Sequence, residues 1–231
     1  YVEGFAQYSD NFLPFPTQSL PAGVRYDRTT TLGLHYRLNY LTPYWDPEGG
    51  FQFDASYSAG GVDFIDWEGY HALQSEFRTV RRLPDGLGRF SDTTVAGHVG
   101  GAIAFPDKGQ YFALGGSQTF RGFDLSERQG SLLWYAGVEA RLPLLRDLNA
   151  DVCDHIAGLR NVYLATFYDV GAVYADGEIV GGNVAHALGV GLRFDVTWFS
   201  LIERTMLRFD AAKTLNAASP WQFWFGVQHP F

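Results

Sequence analysis

The densest group of potential metal ligands in the chain is Asp151, Cys153, Asp154 and His155. All four fall within one predicted turn, and no second cluster stands at the spacing of a zinc site, so they read as a solvated charged turn. Cys153 is the only cysteine, which rules out an internal disulfide. Three histidines, His35, His71 and His98, sit in alternating strand-like stretches and do not assemble into a catalytic constellation with a nucleophile or an acid. Neither a Gly-x-Ser-x-Gly elbow nor a His-Glu-x-x-His helix is present. The segment 111–123, YFALGGSQTFRGF, lacks the lysine and spacing of a phosphate-binding loop, and Gly189-x-Gly191 has no nucleotide-loop context. No catalytic residue, metal site or cofactor is expected.

The elements that hold these residues are strands. Leu188, Val190, Leu192, Phe194 and Val196 alternate with Ala187, Gly189, Gly191, Arg193 and Asp195. Trp134, Ala136, Val138, Ala140 and Leu142 alternate with Leu133, Tyr135, Gly137, Glu139 and Arg141, and Leu32 to Tyr40 repeat the pattern. At the end of the chain Phe223, Phe225, Val227, His229 and Phe231 share one face. Side chains of a strand point alternately to its two faces, so each segment has one apolar face and one that is polar and glycine-rich. Strands are expected at 2–8, 28–42, 51–62, 69–83, 92–105, 131–143, 160–174, 185–196, 204–213 and 221–231. Turn signals separate them at 43–50, 84–88 and 175–182.

A soluble sandwich and a membrane barrel both alternate in this way. The polar face here carries glycine with Arg, Asp, Glu and Gln, as a crowded lumen requires, and the strands are long enough to cross a bilayer at a tilt. Aromatic residues gather near strand ends (Tyr40, Tyr44, Trp45; Trp198, Phe199; Trp221, Phe223), as in interfacial girdles. The expected fold is therefore all-β, an antiparallel transmembrane β-barrel of about ten strands forming one domain over residues 1–231. No apolar run approaches the length of a membrane-spanning helix. A net charge of −8 and a pI near 5.1 argue against nucleic acid as a partner.

The segment 111–123 is the longest glycine-marked, non-alternating connection between two strong strands. Its Gly115-Gly116 pair, followed after a short spacer by Arg121-Gly122-Phe123, resembles the sixth extracellular loop of the BamA/TpsB superfamily of outer-membrane assembly and translocation barrels, also called bacterial surface antigens. The following strands carry Gly137-Val138-Glu139 and Phe167-Tyr168-Asp169-Val170-Gly171, similar to the family's Gly-x-Glu and Phe-x-Asp-x-Gly elements, and Pro47 to Phe51 look like a family turn. Alternation by itself puts Glu139 and Asp169 on the polar face.

The resemblance implies that the loop 106–130 folds back into the lumen, with Arg121 meeting Asp169 and Glu139 as a second acceptor. It also implies that Phe231 is part of a terminal outer-membrane targeting signature, with the carboxyl terminus in the periplasm. Two departures stand out: Phe120 replaces a branched aliphatic, and the connection 144–159 is long and charged. Family barrels have about sixteen strands, so this chain would be a carboxyl-terminal part or a compact member. The implied function is assembly, insertion or translocation of polypeptide, or movement of lipid, at a Gram-negative-type outer membrane. The implied partners are membrane lipids, polypeptide substrates and periplasmic accessory proteins. The alternatives are an anchor or secretion barrel for a fused enzyme such as a patatin-like lipase, and a self-contained barrel enzyme.

Overall fold

The computed structural model describes residues 1–10, 28–42, 47–61, 70–84, 88–105, 112–148, 150–152, 157–175, 184–198, 202–216 and 219–228. Phe231, the Cys153–His155 cluster, Tyr44, Trp45, Phe199, loop residues 106–111 and most of the 175–182 turn lie outside them.

The chain is all-β. Five long strands come first: β1 (Val2–Asp10), β2 (Arg28–Asn39), β3 (Gly49–Gly61), β4 (Tyr70–Arg82) and β5 (Thr94–Phe105). Two short ones, β6 (Phe112–Leu114) and β7 (Arg128–Gly130), pair with each other inside the long connection. Then come β8 (Leu132–Leu145), the short β9 (Ala150–Val152), β10 (Ala157–Tyr174), β11 (Ala185–Trp198), β12 (Ile202–Thr214) and β13 (Gln222–Gln228). The ten long strands form one antiparallel sheet in the order β1-β2-β3-β4-β5-β8-β10-β11-β12-β13, with β9 paired to β10. Every neighbour in the sheet is also the next long strand in sequence, the simplest topology for an antiparallel sheet. No pairing joins β1 to β13 among the described residues, so the sheet has two edges there.

All ten long strands coincide with expected ones to within a few residues. The short β6, β7 and β9 were not expected. They carry too few residues for alternation to register, and β9 lies in the charged 144–159 connection, where it folds back onto Ala157–Leu159.

The register turns the alternation into rows across the sheet. On the open face Leu34 (52 % exposed), Leu73, Val99, Val138, Val190 and Phe225 (63 %) project freely. Aromatic rings touch one another along this face: Phe51 contacts Tyr40 and stacks on Phe77, and Phe209 meets Phe194 edge to face and contacts Phe225. Apolar side chains are exposed along this face on strand after strand. On the opposite face the 112–130 connection packs over β8, β10, β12 and β13. There Glu139, Arg141, Asp169, Arg193, Asp195 and Asp210 are buried.

The loop-covered face is not polar throughout, as alternation suggested. Near the end of the sheet where the loop enters, Leu114, Phe120 and Phe123 are fully buried against Leu133, Tyr135, Val173, Ala185 and Ala187. The rings of Phe120 and Phe123 lie 4.6 Å apart between centroids. Small alanines on the wall leave the space that two aromatic rings from the loop fill. Phe120 is a core residue.

Candidate functional site

The connection reaches the wall through a tight internal turn. Its stem is the β6–β7 hairpin, with Phe112 opposite Gly130 and Leu114 opposite Arg128. Gly115 and Gly116 follow with φ of +136° and +99°, a region that costs residues with a Cβ. A side chain at Gly115 would also stand 2.1 Å from the Asp124 carbonyl oxygen. The Thr119 hydroxyl bonds back to the Gly115 backbone, and the Gly116 amide donates to the Phe123 carbonyl at 3.3 Å. The glycine pair thus folds residues 116–123 into a tight turn that presents Arg121 to the sheet.

Arg121 is 5 % exposed and makes a forked contact with Asp169, from Nε to Oδ2 at 2.8 Å and from Nη2 to Oδ1 at 2.7 Å. Its backbone amide also donates to Asp169 Oδ2, at 3.2 Å. Nη1 donates to Glu139 Oε2 at 2.6 Å, and Asp210 Oδ2 stands 3.8 Å from the same nitrogen. The guanidinium carbon lies 3.3 Å from the centroid of the Phe167 ring. A planar guanidinium suits this setting because it can fork onto a carboxylate and stack on an aromatic face together. The register explains the convergence: Glu139 on β8 pairs with Phe167 on β10, and Asp169 is the next residue of β10 on the same face.

Further charges surround this core. Arg193 donates to Asp210 at 2.5 Å and to both Glu139 oxygens at 3.1 Å. Arg141 donates to Glu139 Oε1 at 2.8 Å, and Arg208 to Asp210 Oδ2 at 2.6 Å. The carboxylates of Glu139, Asp169 and Asp210 on β8, β10 and β12 therefore meet guanidinium groups from the loop, β8, β11 and β12. Buried charges persist in a protein when they are paired and hydrogen-bonded in this way.

The loop is fastened at further points. The Trp224 indole N–H on β13 donates to the Arg121 carbonyl at 2.8 Å, and Arg208 Nη2 to the Ser117 carbonyl at 2.9 Å. Thr214 Oγ1 donates to the Gly122 carbonyl at 2.7 Å. Gly122 has no room for a side chain, since a Cβ would lie 2.6 Å from Ala187 Cβ and 2.7 Å from Thr214 Oγ1. Gly171 is likewise hemmed in by the Trp134 carbonyl and Leu114, and a Cβ at Gly189 would stand 2.1 Å from the Phe167 ring.

The structure brings together Gly115, Gly116, Arg121, Gly122, Phe123, Glu139, Phe167, Asp169 and Gly171. Sequence reasoning did not assign Arg141, Arg193, Arg208, Asp210, Thr214 or Trp224 to the site. Their signal was alternation, which places Arg193 and Arg141 on the glycine-rich face without saying what they meet. The histidines go to separate places. His35 contacts Asp54 at 3.2 Å, His71 Nδ1 meets the Tyr57 hydroxyl at 2.8 Å, and His98 lies beside Gly137 and Asp169.

At the opposite end of the sheet Asp92, in a turn with φ of +64°, binds Arg82 Nε at 2.9 Å and also Arg146. These guanidinium groups, Arg82 first, hold the Asp92 carboxyl below the usual carboxylate range. No family model matches this chain, and no curated protein matches it.

Proposed function

We propose that this chain forms the wall of an outer-membrane β-barrel of the BamA/TpsB type, which inserts or translocates polypeptide by a non-covalent mechanism. The observation that carries this reading is the fork of Arg121 onto Asp169, with Glu139 as second acceptor. It joins the loop motif to both strand motifs in the arrangement the resemblance implies. The open face supports a lipid-facing wall, because its exposed side chains are aliphatic and aromatic along strand after strand. The edges of β1 and β13, unpaired among the described residues, suit a wall that further strands complete, in keeping with the larger barrels of the superfamily.

In this function the pinned loop acts as a lumenal plug and strut. It spans β8, β10, β12 and β13 and stiffens that part of the wall. The edge at β1, which has no contact with the loop among the described residues, is where a client strand would pair by backbone hydrogen bonds. No group on the chain needs to form a covalent bond.

The test is reconstitution into phospholipid vesicles, followed by addition of a urea-unfolded outer-membrane β-barrel protein as client. The wild-type chain should speed client insertion over empty vesicles, and Arg121→Ala should lose most of that gain. A chain that enters the vesicles but leaves client insertion at the empty-vesicle rate contradicts the assembly function.

A further inference from the structure

The open face carries an indentation across β8, β10 and β11. The rows across β8, β10, β11 and β12 are in register there: Val138, Tyr168, Leu188 and Lys213 form one row, and Ala140, Thr166, Val190 and Ala211 form the next. The row after that is bulky again, with Leu142, Leu164, Leu192 and Phe209. A row of small side chains between two larger ones leaves a groove of about 660 Å³, bounded at one end by Leu215 and Trp221. That volume lies within the range of sites that hold small molecules, about 300–1,000 Å³.

Lys213 is what distinguishes this groove from the rest of the apolar wall. It is one of only two lysines in the sequence, the other being Lys108. Along the open-face positions 188–196 of β11 and 205–213 of β12 it is the one charged side chain. Its ammonium reaches the Ser219 carbonyl, which uses one of three donors. The position is at the end of the sheet where the loop enters, next to last in β12. Beside it the Tyr168 hydroxyl bonds to His186 Nδ1 at 2.6 Å, a second polar pair in the same band. A lysine at such a depth extends its ammonium toward the headgroup layer while its stem stays on apolar surface.

We infer that this groove is a binding site for one membrane lipid, with an acyl chain lying over the Ala140–Thr166–Val190 row and a phosphate headgroup on Lys213. The inference rests on the membrane-wall reading above. Charge complementarity selects the occupant: an apolar slot suits any acyl chain, and a lone ammonium with free donors at its headgroup end selects an anionic phosphate over a neutral headgroup.

The experiment inserts the chain into vesicles of phosphatidylcholine containing a minority of phosphatidic acid. It then counts retained lipid by native mass spectrometry after mild detergent extraction. Wild type should retain phosphatidic acid preferentially. Lys213→Gln should lower the preference about fivefold, and Lys213→Arg should restore it. Ala140→Phe, which fills the groove and leaves Lys213 in place, should reduce retention of both lipids. A chain that enters the vesicles and shows the same preference in wild type and Lys213→Gln overturns the lipid site alone. A retained mass of two chains and no lipid overturns it in favour of a second copy. Failure to enter vesicles at all removes the membrane wall and the groove with it.

Discussion

Arg121 grips Asp169 by three hydrogen bonds, two from its guanidinium and one from its own backbone amide, across 48 residues of sequence. The backbone contact fixes the position of the loop as well as of the side chain. Removing either partner leaves a charge buried without its counterpart, which costs about 3–5 kcal/mol. Arg121→Ala and Asp169→Ala should each destabilise the chain by roughly that amount, and the double variant should cost much less than their sum. The measurement is a double-mutant cycle read by denaturant unfolding in detergent. Strictly additive losses would mean that the contact contributes nothing.

Gly122 tests how closely the loop fits the wall. Gly122→Val places carbon where Ala187 and Thr214 already stand, so it should destabilise by about 1–3 kcal/mol and expose the loop to protease. Gly226→Ala is the matched control, since nothing lies within 4 Å of a Cβ there, and it should change stability by less than about 0.5 kcal/mol. Equal stability of the two variants would count against a tightly seated loop.

Trp224 ties the last described strand to the loop. Trp224→Phe keeps most of the ring and removes the indole N–H that serves the Arg121 carbonyl, at a cost of about 1 kcal/mol. Hydrogen exchange should rise around residues 119–123 and along β13 together. A rise confined to β13 would show that the indole does not hold the loop.

The Asp92 clamp gives a pH dependence of defined sign. Its carboxyl is depressed by Arg82 and Arg146, so its stabilisation is complete above the ordinary aspartate value of about 3.9 and disappears as pH falls through the lower folded value. Titration of the Asp92 carboxyl by NMR should show a midpoint below that of an unstructured peptide. Arg146→Ala should move it upward. A midpoint at or above the peptide value would contradict the clamp.

The sheet was legible because alternation is a local property: residues such as Leu188 and Val190 declare their face without reference to any partner. The same property put Glu139 and Asp169 on the covered face, and the glycine pair at 115–116 marked where the chain turns back. What alternation cannot give is which charges meet. Arg193 finds Asp210 because Gly191 leaves room, as a Cβ there would stand 2.0 Å from Asp210 Oδ1. Nor could it reveal that Phe120 and Phe123 pack into a cluster of wall alanines, since that depends on where the loop lands. The short strands β6, β7 and β9 have three residues each, too few to show a period.

In the proposed barrel wall, one face of this sheet meets lipid and the other encloses the Arg121 loop. Strand β13 allows a direct measurement, because Phe223, Phe225 and Val227 share the open face and Gly226, on the other, has space for a new side chain. With Cys153→Ser removing the only native thiol, single cysteines at 223, 225, 226 and 227 can carry a fluorophore in vesicles whose acyl chains bear a nitroxide quencher. Strong quenching is expected at 223, 225 and 227 and weak quenching at 226. Equal quenching at all four positions, or none at any, would contradict a membrane wall with this orientation.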